Sequence, residues 1–297
     1  MYDEGRVNTM KFFGRSTRAI RAGFITVGMV ALVGSAITLT FAGDALSAQS
    51  TVNLGNVKSF GALSAAAMTN AGQNTVVNGN IGSSTSIDIG VKHPGFAAYG
   101  AGSSGLTNAQ ASLLSAYGAA EAATPTSNIT GMNLAGKTLH AGVYNSSSAI
   151  LISGPVPLTL DGGGNANSVF IFQAASSGDL TVDPTSSIVY RNGAQPCNVF
   201  WKVNSAFLKN SGHTFVGTIL ALTQITLTDD ITVQGRVLAR NADVTFIHDT
   251  INTPTCAATP PSTTPPAGTP SGTGTHGGTG TGTGYAQPPT GHVGLTG

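Results

Sequence analysis

The sequence has very little charge. Only 8% of its 297 residues are Asp, Glu, Lys or Arg, and 13 basic residues nearly balance 12 acidic ones. A nucleic-acid-binding protein needs a basic patch that neutralises phosphates, so this composition argues against that class. Disorder throughout is also excluded, because 40% of the residues are hydrophobic and the middle of the chain has enough Val, Ile, Leu and Phe for a core.

The two ends of the chain lack the composition of a folded domain. Basic residues precede an uncharged stretch at 22–42, and Leu46-Ser47-Ala48 fits a cleavage site before Gln49. That stretch is also just long enough to span a bilayer, so residues 1–48 are either a signal peptide or an N-terminal membrane anchor. Either segment places the rest outside the cytoplasm. Residues 257–297 are rich in Pro and Thr and then in Gly and Thr, which predicts a disordered tail.

Cysteine is scarce as well. The chain contains two, Cys197 and Cys256. An even number in an exported chain favours one disulfide, which would close a loop of about 60 residues and hold the C-terminal end of the domain. The alternative is two buried thiols.

An internal repeat occupies part of the remaining segment, 49–256. GTILALTQITLTDDITVQ from Gly217 aligns with GRVLARNADVTFIHDTI from Gly235 at an offset of 18 to 19 residues, and weaker copies start at Val169 and Val199. A period this short, with no helix inside it, excludes a βαβ unit or a propeller blade. It is typical of the coils of a β-solenoid, each of which stacks on its neighbours.

Alternation within the repeat predicts which side chains point inward. The predicted core positions are Ile225, Leu227, Ile231, Val233, Val244, Phe246 and Ile251. The predicted outward positions are Thr226, Thr228, Thr232, Thr245 and Thr250.

One helix is predicted at about 108–123. Thr107-Asn108-Ala109-Gln110 has the spacing of a capping box, an Ala-rich run follows, and Pro125 ends it. The predicted buried face of this helix consists of Leu113, Leu114, Tyr117 and Ala120.

Several segments match a known family in order. They are FGALSAAAMTN from Phe60, VFIFQ from Val169, NGAQPCNVFW from Asn192, FVGTILALTQITL from Phe215 and GRVLARNADVT from Gly235. Together they cover most of 53–253 and resemble the ice-binding-like family (DUF3494). The resemblance implies an all-β fold with one long helix: a discontinuous right-handed β-solenoid of triangular section. In that fold the helix packs alongside, and N-terminal coils lie next to C-terminal ones.

The resemblance also implies a function. It predicts a secreted protein that adsorbs to ice through a flat, Thr-rich solenoid face and inhibits ice growth or recrystallisation. The expected partner is the ice crystal surface, and we expect a monomer that contacts a membrane only if residues 1–48 stay attached. No cofactor is expected.

Outward threonines form two predicted columns across the coils. The preferred column is Thr214, Thr232 and Thr250, at offsets of 18; the other is Thr181, Thr226 and Thr245, interrupted by the segment 207–209. Thr69 and Thr75 are expected to extend a face from the N-terminal coils. Threonine is stiff at χ1, so such an array is pre-organised to hold water at near-lattice spacing. The alternative is that Thr is simply a good exposed strand residue.

Charged groups are predicted close to these columns and are expected to disturb a flat array: His213, Asp229, Asp230, His248 and Asp249. They suggest no enzyme. An adjacent pair such as Asp229-Asp230 points to opposite faces of a strand, and His248-Asp249 resembles half a triad without a GxSxG motif. The six His and two Cys have no metal-ligand spacing. The alternative function is a cell-envelope adhesion or structural module that binds a glycan or a partner surface.

Overall fold

Short parallel strands run around three sides of the molecule, and each coil of chain stacks on the next. The computed structural model describes residues 49–72, 74–209 and 212–257. The predicted signal or anchor segment and all but the first residue of the predicted tail lie outside these ranges. Within them, no helix has the length and apolar character that crossing a membrane requires.

The described chain contains one α-helix, α1 (Ser104–Ala122), and two short 3-10 helices, Gly55–Ser59 and Pro196–Asn198. The strands in chain order are β1 (Phe60–Ser64), β2 (Met68–Asn70), β3 (Thr75–Asn78), β4 (Asn80–Ser83), β5 (Val91–Lys92), β6 (Ala98–Tyr99), β7 (Ser127–Asn128), β8 (Thr138–His140), β9 (Gly142–Ser146), β10 (Ile150–Ile152), β11 (Leu158–Asp161), β12 (Phe170–Ala174), β13 (Leu180–Val182), β14 (Ile188–Arg191), β15 (Val199–Val203), β16 (Ala206–Leu208), β17 (Thr214–Ala221), β18 (Ile225–Leu227), β19 (Thr232–Ala239), β20 (Val244–Phe246) and β21 (Thr250–Asn252).

Each side of the solenoid is a ladder of parallel strands. The first side has the order β7-β9-β12-β15-β17-β19-β1-β4-β6, and the second has the order β10-β13-β16-β18-β20-β2. The third side contains the first halves of β17 and β19 followed by β21, β3 and β5, and the separate sheet β14-β11-β8 occupies the same place in the earlier coils. The predicted β-solenoid with one helix is confirmed.

The solenoid is discontinuous in sequence. The first coil of the described chain stacks on the last: β1 pairs with β19, β2 with β20 and β3 with β21. Thr69 therefore lies beside Thr245, although 176 positions separate them along the chain. This confirms the expected adjacency of N-terminal and C-terminal coils.

Residues aligned by the sequence repeat are the residues that pair between stacked strands. Gly217 pairs with Gly235, Ile225 with Val244, and Thr214 with Thr232. All seven predicted core positions are at most 1% exposed. Upstream coils are longer because loops separate their strands, as between Asp161 and Phe170.

Strands β17 and β19 both bend around a corner of the solenoid, where their backbones lie close together. Gly217 has φ +113°, a backbone conformation that L side chains rarely adopt. A Cβ atom on Gly235 would lie 1.8 Å from the carbonyl oxygen of Gly217. Both positions therefore require glycine, and the two strands turn the corner in register.

An aromatic stack fills the interior. Tyr144, Phe172, Trp201 and Phe215 come from four successive coils, with ring centroids 5.2, 3.9 and 5.5 Å apart. The indole of Trp201 donates to the carbonyl oxygen of Val216 at 2.9 Å, so its polar atom is satisfied.

The helix begins earlier than predicted. Ser103 is its N-cap, and the Ser103 hydroxyl accepts from the amide of Leu106 at 3.3 Å. The predicted capping box was wrong, because Thr107 lies inside the helix and donates to the carbonyl oxygen of Ser103. Leu113, Tyr117 and Ala120 are buried as predicted, but Leu114 is 55% exposed.

The helix covers the first side. Its buried residues pack on outward side chains of that side, which include Leu63, Val143, Ile171, Phe200, Leu220 and Leu238. The amide of Gln173 in β12 donates to the carbonyl oxygens of Ala120 and Ala123, each at 2.7 Å, which anchors the C-terminal end of the helix. Among the described residues, the helix thus covers the first side and leaves the second and third sides open.

The two cysteines form the expected disulfide. Their Cα atoms are 5.5 Å apart and 59 positions separate them, so the bond ties the segment before β15 to the segment after β21.

Replacing both Cys197 and Cys256 with Ser is expected to lower the free energy of unfolding by about 4 kcal/mol, because the unfolded chain regains the freedom of this loop. Urea unfolding of the oxidised protein and of the double variant measures the difference. Equal unfolding midpoints would show that the bond contributes nothing to stability.

Candidate functional site

The second side exposes one column of side chains, which we call the column face. Strand pairing places Leu151, Thr181, Phe207, Thr226, Thr245 and Thr69 in this order. The hydroxyl of Thr69 donates to the hydroxyl of Thr245 at 3.0 Å. The column predicted from Thr181, Thr226 and Thr245 therefore exists, and Thr69 extends it as expected.

The third side exposes two columns, which we call the grid face. Its first column is Thr214, Thr232, Thr250 and Val76, in paired register. Its second column is Gln234, Asn252 and Asn78. All seven side chains are partly exposed, whereas Val233, Ile251 and Val77 between them are buried. The preferred column of the sequence analysis thus exists, and the second column beside it was missed.

The spacing of the grid face follows from strand geometry. Residues two apart on a strand are roughly 6.6–6.8 Å apart, and neighbouring strands are about 4.8 Å apart. The first column is β-branched at every position, so its χ1 angles are restricted. The amide of Asn78 donates to the side-chain oxygen of Asn252 at 2.8 Å, which orients the second column.

Thr75 does not belong to this face. It is fully buried, its hydroxyl donates to the side-chain oxygen of Asn70 at 3.1 Å, and it accepts from the amide of Asp249. Val76 instead pairs with Thr250. The expectation that Thr75 extends a face was wrong, because the turn before β3 places it in the inward phase.

A charged turn separates the two faces. Asp229, Asp230 and His248 are exposed and have φ angles of 55°, 57° and 58°. Asp229 and His248 lie on stacked turns, and the Nδ1 atom of His248 is 3.3 Å from Oδ1 of Asp229. The prediction that the aspartate pair points to opposite faces of a strand was wrong, because both residues belong to a turn.

The same turn is the place in the described chain where a cation would find ligands. One ligand atom from each of Asp229, Asp230 and His248 lies within 4.8 Å of the others. The spacing of these three residues in the sequence did not reveal the group. It forms only because two turns, 19 positions apart along the chain, stack on each other. All three residues are exposed, and exposed acidic groups often gather without an ion.

Asp249 is not on the surface as predicted. It is fully buried, and its two carboxylate oxygens accept from the amides of Ile231 at 2.9 Å and Ile247 at 2.7 Å. Burial is the largest cause that raises the pKa of Asp249 to about 7; the hydrogen bonds from Ile247 and Ile231 lower this pKa, and nearby Asp230 and Asp229 contribute to the rise. Asp249 therefore joins two stacked turns, and the resemblance of His248-Asp249 to half a triad has no structural counterpart.

The Ice-binding-like family matches residues 62–252 of this chain. The protein belongs to that family. An ice-binding protein of Nostoc sp. (strain HG1) is 38% identical over 196 residues, which are 65% of this chain and 71% of the relative. An ice-binding protein of Flavobacterium frigoris (strain PS1) is 33% identical over 127 residues, which are 43% of this chain and 44% of the relative.

Solved ice-binding protein structures share the fold. The structure from the Antarctic ascomycete Antarctomyces psychrotrophicus has a TM-score of 0.64 and 34% identity over 69% of this chain and all of its own. The structure from an Antarctic biological consortium has a TM-score of 0.64 and 28% identity over 69% of this chain and 92% of its own. The fold of this chain is therefore shared with solved ice-binding protein structures.

The stability of this ice-binding-like protein is expected to depend on pH through Asp249. Its pKa is about 7 in the folded state and 3.8 as the ordinary value, so the folded protein holds the proton more tightly. The free energy of unfolding should therefore gain a contribution as pH falls from about 7 toward about 4, and lose it as pH rises through 7.

Asp249→Asn cannot titrate, so its stability should vary less over this range than that of the native protein. Urea unfolding at several pH values measures both curves. Parallel curves would show that Asp249 does not hold a proton in this way.

Proposed function

We propose that this protein adsorbs to ice through the grid face and thereby slows ice growth and recrystallisation. One observation carries the proposal: Thr214, Thr232 and Thr250 lie in unbroken paired register, next to a second column of short polar side chains. Its relatives in Nostoc and Flavobacterium frigoris are named ice-binding proteins, which supports the same ligand for this chain.

The grid face suits a crystalline surface better than the column face. The column face presents one row, in which Phe207 interrupts the threonines and the 37%-exposed Leu151 stands at one end. The grid face repeats in two directions, and none of its seven members is charged. The exposed Lys92 of β5 pairs with Val76 and so borders the first column at that end. A surface that repeats in two directions can match a crystal plane in two directions.

Binding at such a face is the sum of many weak contacts. Threonine supplies a methyl group and a hydroxyl at each lattice point, and ordered water bridging the hydroxyls is nearly as good enthalpically as a direct hydrogen bond. Restricted χ1 angles reduce the entropy that adsorption removes. The turn with Asp229, Asp230 and His248 borders the array on the side of the column face, which limits its width there.

We further propose that the protein works outside the cell, as a monomer and without catalysing a reaction. The disulfide between Cys197 and Cys256 supports an oxidising compartment. The charge-poor, partly exposed grid face supports adsorption rather than chemistry, because it offers hydroxyl and amide groups but no nucleophile activated by a neighbouring base.

Thr232→Tyr is the direct test of this face. The ring would stand above the plane at the centre of the first column, so we expect measurable thermal hysteresis and recrystallisation inhibition to be lost. The substitution is at a partly exposed strand position, so the free energy of unfolding should change by less than about 0.5 kcal/mol.

Thr226→Tyr is the matched control on the column face. It places the same ring at the centre of a three-residue strand of the second side, and activity should remain. If Thr226→Tyr removes activity and Thr232→Tyr does not, the column face binds ice. If the native protein neither shapes ice crystals nor inhibits recrystallisation at high concentration, the proposed function is wrong.

A further inference from the structure

A buried arginine that has no carboxylate partner among the described residues lies on the first side, next to the corner at Gly235. Arg236 in β19 is only 2% exposed. Its Nε and Nη2 atoms donate to the carbonyl oxygen of Lys58 at 2.9 and 2.7 Å, and Nη2 also donates to that of Pro254 at 3.2 Å. Among the described residues, no acidic group pairs with Arg236 and no hydrogen bond uses its Nη1 atom.

This arrangement is costly for a charged group. Buried charges in proteins are usually paired with an opposite charge, because carbonyl oxygens alone leave the net charge uncompensated. Burial lowers the pKa of Arg236 to about 10, and no neighbouring acid offsets that effect. The guanidinium is still positive at neutral pH, so it creates a local field that favours an anion.

Arg236 lines a cleft with further donors. A cleft of about 640 Å³ is lined by Arg236, Lys58, Asn56, Asn80, Thr253 and Phe96, among others. Lys58 is exposed and forms no ion pair with a described residue, so it adds a second positive charge at the rim. None of the described residues lining this cleft is acidic.

Thr253 supplies a second, independent observation. Its hydroxyl is buried and has no hydrogen-bond partner among the described residues. An unsatisfied buried hydroxyl is destabilising, so a native structure that keeps one requires an explanation. Thr253 lines the same cleft as Arg236; its hydroxyl lies next to Gly79 and Gly61, and it would reach an anion in the cleft by rotation about χ1.

We propose that this cleft binds a small oxyanion, a carboxylate, sulfate or phosphate group, between Arg236, Lys58 and Thr253. All three side chains are hydrogen-bond donors and two of them carry positive charge, which is the chemistry that recognises such groups. The cleft borders the second column of the grid face, because Thr253 follows Asn252 and Gly79 follows Asn78, but no member of the grid face lines it. The proposal does not depend on ice binding.

The bound anion would connect three distant parts of the chain. Arg236 already joins the carbonyl oxygen of Lys58, in the 3-10 helix Gly55–Ser59, to that of Pro254, after β21. An anion would add charge-assisted bonds to the same place. Because a ligand that binds only the folded state stabilises it, the midpoint of thermal unfolding should rise with anion concentration.

The experiment titrates the full protein with sodium sulfate, sodium phosphate or sodium acetate in place of sodium chloride, at constant ionic strength. Backbone amide NMR signals of residues 55–59 and 253–255 report binding at the cleft. We expect at least one of the three anions to shift these signals saturably. Acetate alone would identify a carboxylate site, and sulfate and phosphate alone would identify a tetrahedral oxyanion site.

Lys58→Ala is the decisive variant. Its side chain is exposed, so the fold should persist, and loss of one charged hydrogen bond is expected to weaken anion binding about tenfold. Lys137→Ala removes another exposed lysine, outside the cleft, and should leave the affinity unchanged. Arg236→Met should abolish binding, but it also removes three hydrogen bonds to backbone carbonyls, so Lys58 is the safer position.

The proposal is overturned if none of the anions gives a saturable shift. Equal affinities in Lys58→Ala and Lys137→Ala would overturn it as well. Neither result bears on ice adsorption, which is measured separately on the grid face.

Discussion

Parallel hydrogen bonding between coils sets the position of almost every side chain in this protein. Once Gly217 pairs with Gly235 and Thr232 with Thr250, residues above and below in the stack share the same direction. One register therefore produces the aromatic stack inside, the apolar strip under the helix and the threonine columns outside. The faces are consequences of this pairing, because a slip of one residue would turn each threonine inward.

Within residues 217–252, most of the fold could be predicted from the sequence, because strands alternate with a period of two and the repeat adds the register. Thr226 and Val244 were assigned correctly on this basis. Thr75 was not, because alternation does not continue through a turn. Val76 pairs with Thr250, so Thr75 takes the inward place that Asp249 has in the neighbouring coil, and both residues are buried.

The helix start and the charged turn show a second limit. Ser103 and Thr107 are both suitable N-caps. In the structure the chain enters the helix through Gly102, which has a positive φ angle, and Ser103 is the N-cap. Asp249 was predicted near the surface because its side chain is ionisable. In the structure its carboxylate is buried and accepts hydrogen bonds from two backbone amides. The order of the coils came from the family resemblance and not from spacing, since pairing of β1 with β19 has no local signature.

The placement of β1 beside β19 has a consequence for how the chain is made. Synthesis begins at the N-terminus, so residues 60–78 exist before the strands they pair with. These first strands must wait until the chain has been made through Asn252, and pairing over such a separation is slow. The ladders therefore cannot be completed strand by strand as the chain is made. The N-terminal coil, once docked, covers the edge of β19 and β21 that a growing solenoid would otherwise leave open to other chains.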